Sequence, residues 1–524
     1  MKKLGKKIQI MDTTLRDGEQ TSGVSFVPNE KLMIARQLLK EVCVDRIEIA
    51  SARVSDGEAD AVRLITDWAF ENDILKKIEV LGFVDGHTSV DWIYNAGGRV
   101  INLLAKGSRI HCEKQLGKTL EQHISDIKKV VSYADSKGMT TNIYLEDWSN
   151  GMKNSPDFVF SMVEALKETS IVHYMLPDTL GVLNPFEVIC YVRKMIRKFP
   201  DLKFDFHAHN DYDLAVSNVL AAVYSGITGL HTTINGLGER AGNAPLSSVQ
   251  SILKDHFHAE THIVESKLNT ISRLVEAYSN VRVAANQPIV GRNVFTQVAG
   301  VHADGDNKHN LYCNALIPER FGREREYALG KNSGRANIRK NLKKLGYKLS
   351  EDAMAKVTKR IIQLGDRKEM VTPEELPYII HDVMKESNQK DRVKLLHYYV
   401  TLSKGLKPVA SLKIQIDGKT YEATSSGAGQ YDAFVTAVRD IYTDILHQQF
   451  PNLKDYEVTI PPGGRTQAFV QTVITWEYLG HTFRTVGLDA DQTESAIKAT
   501  IKMLNIIYSE DLSKEKKEEF NKLK

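Results

Sequence analysis

The sequence predicts an α/β protein whose N-terminal half is a (β/α)8, or TIM, barrel, because eight short apolar runs alternate with helical stretches. The runs are IQIMDTTLRDGE, RIEIASARV, IEVLGFVDG, VINLLAKGS, TNIYLEDWS, VHYMLPDTLG, KFDFHAHND and LHTTINGLGE. Apolar residues at helical spacing lie between them, as in NEKLMIARQLLKEV and NPFEVICYVRKMIRKF. An open doubly wound sheet is the alternative, but it rarely needs so many units.

Length and composition indicate a folded protein of several domains. The chain has 524 residues, of which 42% are hydrophobic and 26% charged, and its net charge is only +3. Basic residues are scattered, which argues against a nucleic-acid partner. No run reaches the roughly 20 apolar residues of a membrane span, and the first apolar run is too short for a signal peptide. The cysteines form no CxxC pair, so we expect reduced thiols in a soluble, cytoplasmic protein.

Polar residues follow the predicted strands, where catalytic groups of such barrels lie. They include Arg16, Asp17 and Glu19 after the first strand, Glu146 and Asp147 after the fifth, and Asp178 and Thr179 after the sixth. His207 and His209 are two residues apart on the seventh strand, so both side chains point to the same side.

These residues suggest a divalent metal site. Closure of the barrel brings the first strand near the seventh, so Asp17 can join His207 and His209 as a third ligand, and Asn243 could add an oxygen. Mixed nitrogen and oxygen ligands suit Mn, Fe, Co or Zn, with Mg possible. The alternative is a pair of histidines satisfied by hydrogen bonds at the barrel rim.

Five motifs, in order along the chain, carry a resemblance. DTTLRDGEQTSG, HAHND, NGLGERAGN, GVHADG and GKNSGR resemble the 2-isopropylmalate synthase, homocitrate synthase and citramalate synthase family over nearly the whole chain, and the (R)-citramalate synthases most closely. The resemblance implies a Claisen-type condensation of acetyl-CoA with a 2-oxo acid, followed by thioester hydrolysis. Related lyases use a cysteine in the loop after the eighth strand; NGLGERAGNAP has none, so we expect no cleavage activity.

The chemistry gives roles to individual residues. A 2-oxo acid can chelate the metal, Arg16 can stabilise the alkoxide that forms, and Thr179 can donate a hydrogen bond to the carboxylate. Glu146 and His302 are alternative bases, and the resemblance implies that His302 comes from the partner subunit of a homodimer. It also places a further set near acetyl-CoA or a proton relay: Asp304, Asn310, Leu311 and Tyr312.

The substrate expectation depends on pocket size. Leu81, Leu104 and Tyr144, at three successive strand ends, would leave room for a methyl group, so we predict pyruvate as the 2-oxo acid and (R)-citramalate as the product. A methylene is worth only about 1–3 kcal/mol in an apolar pocket, so 2-oxobutyrate should react better than 2-oxoisovalerate. The leucines could instead be plain barrel core. A 2-isopropylmalate synthase that uses 2-oxoisovalerate remains the alternative enzyme.

We expect three regions: a catalytic barrel at 1–285, helical linker subdomains with a loop covering the site at 286–390, and an α/β regulatory domain at 391–524. The last region shows a repeated strand and helix rhythm that suggests internal duplication. SSGAGQYDAF and TVGLDADQTESAIKA are similar to the regulatory domain of the same synthases, which implies isoleucine as a feedback inhibitor near Tyr431 and Asp432. The alternative for this region is a dimerisation domain without a ligand. The alternative for the whole protein is an inactive metal-binding or amino-acid-sensing homologue.

Overall fold

The computed structural model confirms the predicted barrel. It describes residues 7–299, 301–302, 305, 311–344, 349–366, 371, 373, 376, 379–380, 383, 392–459 and 470–522. Eight parallel strands close in chain order, and they are β1 Gln9–Asp12, β2 Arg46–Ser51, β3 Ile78–Phe83, β4 Val100–Lys106, β5 Thr140–Glu146, β6 His173–Asp178, β7 Lys203–Ala208 and β8 Gly229–Thr232. Hydrogen bonds between β1 and β8, from the Gln9–Gly229 pair onward, complete the ring.

Helices follow the strands as the periodicity predicts. They are α1 Pro28–Arg36, α2 Asp56–Glu71, α3 Thr88–Asn95, α4 Leu120–Ser136, α5 Trp148–Asn154, α6 Pro156–Leu166, α7 Pro185–Lys198, α8 Ala215–Ser225, α9 Leu246–Ile252 and α10 Leu268–Ser279. Their starts are encoded locally. Asn184 caps α7 by accepting from two backbone N–H groups, and Glu187 bonds back to the cap.

Strand alternation divides the barrel into two environments. Outward residues such as Ile47, Leu103 and Phe206 are fully buried and belong to the apolar core beneath the helices. Their neighbours along each strand point inward and are mostly polar: Arg46, Glu48, Glu79, Asn102, Asn142, His173, Asp205 and His231, all of them buried. The interior of this barrel is therefore a hydrogen-bonded core rather than an apolar one.

The chain separates into two compact units, one of residues 1–295 and 314–324, the other of residues 296–313 and 325–524. In the second unit, β9 Thr296–Gln297 pairs with β10 Glu326–Tyr327. The helices α11 Arg335–Lys344 and α12 Glu351–Asp366 share a small apolar core that includes Ile338 and Val357.

The C-terminal part of the second unit contains the same arrangement twice, which agrees with the duplication suggested by the sequence. An antiparallel sheet of β11 Val393–Thr401, β12 Val409–Ile416 and β13 Lys419–Ser426 precedes α13 Gln430–Asp440. A second sheet of β14 Asn452–Thr459, β15 Val470–Tyr478 and β16 His481–Asp489 precedes α14 Gln492–Lys522. None of the helices that the structure describes is long and apolar enough to cross a membrane.

Candidate metal and substrate site

Asp17, His207 and His209 meet at the C-terminal end of the barrel strands. Asp17 Oδ2 lies 3.1 Å from His207 Nε2 and 3.8 Å from His209 Nε2, and the potential ligand atoms of the three residues lie within 4.8 Å of one another. All three side chains are buried. The HxH spacing on β7 and the closure of β1 onto β8 thus assemble the predicted trio.

A buried lysine fixes the loop that carries Asp17. Lys31 on α1 is fully buried, and its ammonium donates to the backbone oxygen of Leu15 at 3.1 Å and pairs with Glu19 at 2.6 Å and Glu58 at 2.5 Å. Such a cation is stable in the interior only because several acceptors surround it. The loop after β1 is therefore held from beneath.

Asn243 reaches the same place through a tight loop after β8. Its backbone bridges to His209, and its amide nitrogen donates to the Leu237 oxygen at 3.2 Å. Gly242 adopts a φ of +82°, and a Cβ there would lie 1.9 Å from the Gly236 oxygen, so only glycine allows this close approach.

The chemistry of these donors fits a divalent cation. Asp17 Oδ1 and Asn243 Oδ1 are buried without a hydrogen-bond partner, and oxygens of this kind are ligands for such an ion. Burial alone would raise the pKa of Asp17, but Arg16 and His207 hold it well below its usual range. Burial and His207 lower the pKa of His209 to about 4, so its imidazole is neutral, as a metal ligand must be.

Arg16 is held beside this cluster by Glu48, which the sequence analysis did not single out, and by Tyr144, which it placed in the substrate pocket. Its Nε donates to Glu48 at 2.5 Å and a terminal nitrogen donates to the Tyr144 hydroxyl at 3.2 Å. Glu48 also accepts from Asn102 at 2.8 Å, and the Tyr144 hydroxyl lies 3.2 Å from His231 Nδ1. The signal was present in the strand Arg-Ile-Glu-Ile, where charged residues alternate with apolar ones and so face the barrel interior.

The three residues predicted to form the substrate pocket come together. Leu81 and Tyr144 form a small apolar cluster with Met11 and Met175, and Leu104 packs against it. This cluster is separate from the large core beneath the helices. Tyr144 combines both roles, since its ring belongs to the cluster while its hydroxyl contacts Arg16.

Thr179 and Glu146 lie at neighbouring strand ends. The Thr179 hydroxyl accepts from the Asp147 backbone N–H at 2.9 Å, which leaves its own proton free to be donated. Glu146 forms an ion pair with Lys106, the last residue of β4, a contact that we did not predict.

The remaining predicted site residues lie in the second unit. His302 is exposed, and its ring centroid is 4.3 Å from that of Tyr312, which is also exposed, as is Leu311. Asp304 and Asn310 lie outside the described residues. Tyr431 is half-buried and its hydroxyl lies 2.7 Å from Thr500 Oγ1, while Asp432 accepts from the Ala428 backbone N–H at 2.7 Å. The two are adjacent at the start of α13.

Comparison with known families covers most of the chain. A model described as HMGL-like matches residues 7–275, one described as homocitrate synthase post-HMGL domain-like matches 289–369, and one described as LeuA allosteric (dimerisation) domain matches 370–508.

Individual relatives carry two names. A candidate (R)-citramalate synthase of Methanopyrus kandleri is 34% identical over 84% of this chain and 84% of its own. In Methanocaldococcus jannaschii, an (R)-citramalate synthase is 31% identical over 95% of this chain and 99% of its own, and a 2-isopropylmalate synthase is 31% identical over 96% and 95%. Among solved structures, the HMG-CoA lyase of Bacillus subtilis shares 22% identity and a TM-score of 0.45 over 53% of this chain and 95% of its own.

Proposed function

The chain belongs to the HMGL-like family, as its motifs predicted, and we propose that it is an acyltransferase that condenses acetyl-CoA with pyruvate to give (R)-citramalate and CoA. The observation that carries this proposal is the position of the apolar cluster that contains Leu81, Leu104 and Tyr144, since the Tyr144 hydroxyl contacts Arg16, the neighbour of Asp17. Apolar side chains of this size next to metal ligands and a guanidinium suit a 2-oxo acid with a methyl side chain.

The residues at the barrel mouth would bind the metal, stabilise charge and hold the substrate. Asp17, His207, His209 and Asn243 would hold a divalent ion such as Mn, Zn, Co or Mg, which supplies Lewis-acid polarisation of the keto group. Arg16, oriented by Glu48, stabilises the negative charge that develops on the keto oxygen. Thr179 donates its hydroxyl proton to the substrate carboxylate.

A base takes a proton from the acetyl methyl group, and the resulting carbanion carbon attacks the keto carbon of pyruvate. Water then cleaves the thioester, which leaves the carboxylate of the product and the CoA thiol. Glu146 and His302 are the two candidates for this base. We propose that the protein acts in the cytoplasm as a homodimer, in which the partner's His302, with Asp304, Asn310, Leu311 and Tyr312, serves acetyl-CoA and the proton relay.

The first test is CoA-thiol release with acetyl-CoA and, separately, pyruvate, 2-oxobutyrate, 2-oxoisovalerate and 2-oxoglutarate, compared as kcat/KM. We expect pyruvate to exceed 2-oxobutyrate by about 10-fold or more and 2-oxoisovalerate to be slower still, because each added carbon must fit against Leu81 and Leu104. In Leu81→Ala the ratio of kcat/KM for pyruvate to kcat/KM for 2-oxobutyrate should fall. Leu253→Ala, a change in the core beneath the helices, should leave that ratio unchanged.

Preference for 2-oxoisovalerate would instead identify a 2-isopropylmalate synthase. This second candidate is kept because the two M. jannaschii proteins, which carry different names, are equally identical to this chain, at 31%. Thiol release with none of the acids would favour an inactive metal-binding or amino-acid-sensing homologue.

We also propose that isoleucine inhibits the enzyme through the C-terminal domain, which places the reaction on a route to isoleucine. The LeuA allosteric domain match and the position of Tyr431 and Asp432 at the start of α13 support this. Isoleucine should lower the rate of thiol release in the wild type and in Glu422→Gln, an exposed change on β13, but much less in Asp432→Ala. Equal sensitivity of all three proteins would rule out a role for Asp432.

A further inference from the structure

Two layers of side chains stand at the ends of β4 and β5. Leu104 is paired in register with Tyr144, and two residues further along Lys106 is paired with Glu146. Residues two apart on a strand point to the same side. Lys106 and Glu146 therefore face the barrel mouth directly above the layer that contributes to the substrate pocket.

Lys106 and Glu146 form a direct ion pair with little access to water. The Lys106 side chain is 10% exposed and that of Glu146 is 22% exposed. Among the residues that the structure describes, the Lys106 ammonium donates to Glu146 Oε2, and no protein group donates to Oε1. Coulombic attraction at this depth is much stronger than at an exposed surface.

The backbone around the pair is fixed on both strands. The Lys106 backbone N–H donates to His123 Nε2 at 3.0 Å, and the Gly107 N–H donates to the backbone oxygen of Glu146 at 2.6 Å. A Cβ on Gly107 would lie 2.4 Å from the Leu145 oxygen, so glycine is required for the strand ends to approach so closely. The ion pair is thus a built feature of the barrel rim and not a chance contact of two flexible side chains.

The neighbouring ionisable groups are committed elsewhere. Asp147 accepts from Ser108 at 2.6 Å and Asn150 at 2.7 Å, with His111 at 3.5 Å. Asp178 on β6 accepts from two backbone N–H groups, both at 3.0 Å. His123 on α4 is neutral, since burial lowers its pKa to about 4. Lys106 is consequently the charged partner of Glu146.

We propose that Lys106 is a positioning residue that holds Glu146 through Oε2 and directs Oε1 toward the acetyl group, so that Glu146 serves as the base. This rests on the proposed condensation. The carboxylate takes a proton from the acetyl methyl group, and the C–H electron pair becomes the enolate. Without the ammonium contact the Glu146 side chain could adopt other rotamers, and fewer molecules would present Oε1 to the acetyl group.

The test compares Lys106→Met, which removes the charge but keeps a straight side chain, with Lys106→Arg, which keeps it. Lys128→Met, an exposed change on α4, controls for the loss of one positive charge. In Lys106→Met, kcat should fall by about 10–100-fold with little change in the KM for pyruvate, and kcat should stay within about twofold of the wild-type value in the other two variants. The 13C NMR resonance of the Glu146 carboxyl in magnesium-loaded protein, assigned by its loss in Glu146→Gln, should move in Lys106→Met at a fixed pH, because the ammonium contacts one of its oxygens. It should stay in place in Lys128→Met.

An unmoved carboxyl resonance and an unchanged kcat in folded Lys106→Met would overturn the inference. Melting temperature reports folding, and Lys106→Gln replaces the methionine variant if that protein melts early. The NMR measurement needs no turnover. Failure of wild-type thiol release with every acid would therefore refute the proposed function alone, whereas an unmoved carboxyl would refute the role of Lys106 alone.

Discussion

His207→Ala is expected to lower kcat/KM for thiol release by about a thousandfold or more and to remove most of the bound metal. His207 Nε2 lies 3.1 Å from Asp17 Oδ2 at the centre of the ligand cluster, and no other histidine than His209 reaches that cluster among the described residues. Lewis-acid stabilisation of the developing charge contributes several kcal/mol, and each 1.36 kcal/mol is a tenfold change in rate.

The measurements are thiol release and metal content by elemental analysis after dialysis. His262→Ala is a suitable control, because this exposed histidine pairs with Asp45 at 2.7 Å and lies outside the ligand cluster. It should retain wild-type activity and metal. A His207→Ala protein with a full complement of metal and unchanged activity would mean that the cluster is a hydrogen-bonded rim and not a metal site.

Asp205→Ala is expected to destabilise the protein by about 3–5 kcal/mol, the usual result of removing one partner of a buried ion pair. Asp205 is almost completely buried and contacts Arg46 at 2.5 Å, His173 at 3.0 Å and His231 at 3.5 Å. Its loss would leave the Arg46 guanidinium short of one of two carboxylates, the other being Glu79 at 3.0 Å.

The urea midpoint, followed by circular dichroism, checks this expectation, with the exposed Asp201→Ala as the control. The pH dependence gives a second check. Burial alone would raise the pKa of Asp205, but Arg46 and His173 hold it well below the ordinary 3.8. A depressed carboxyl pKa stabilises the fold above the unfolded value, and that stabilisation is lost as the pH falls through the folded value. The difference in urea midpoint between wild type and Asp205→Ala should therefore shrink below about pH 4. A constant difference would exclude the charge as its cause.

Sequence patterns with a strict period predicted the barrel and the ligand cluster. Eight apolar runs, the one-residue gap between His207 and His209, and ring closure were sufficient to bring Asp17 to them. The contacts of Arg16 with Glu48 and of Glu146 with Lys106 were missed, because each joins segments from different βα units and depends on how the neighbouring strands are aligned. Register between parallel strands is not encoded in any single run.

The C-terminal sheets were only partly predicted for a different reason. The strand and helix rhythm that the sequence shows is clearest in β12 and β15, whose side chains alternate between buried and half-buried positions. The edge strands β13 and β14 contain no fully buried residue, so they lack the apolar alternation that identifies a strand. Substrate choice is harder to read from sequence, since each added methylene changes binding by only about 1–3 kcal/mol.

The polar interior of the barrel also constrains how the chain can fold during synthesis. Arg46 and Asp205 are 159 residues apart, and His231 contacts Asp205 from the last strand. A nascent chain that has emerged only through β6 contains Arg46 and its partner Glu79 but not Asp205, the second carboxylate that Arg46 contacts in the folded barrel. Burying the Arg46 guanidinium before Asp205 is present is unfavourable, so half of a barrel has little to gain from collapsing. Ring closure should thus occur late and in one cooperative step, and the ribosome-bound intermediate should keep its first strands accessible to chaperones until β8 has emerged.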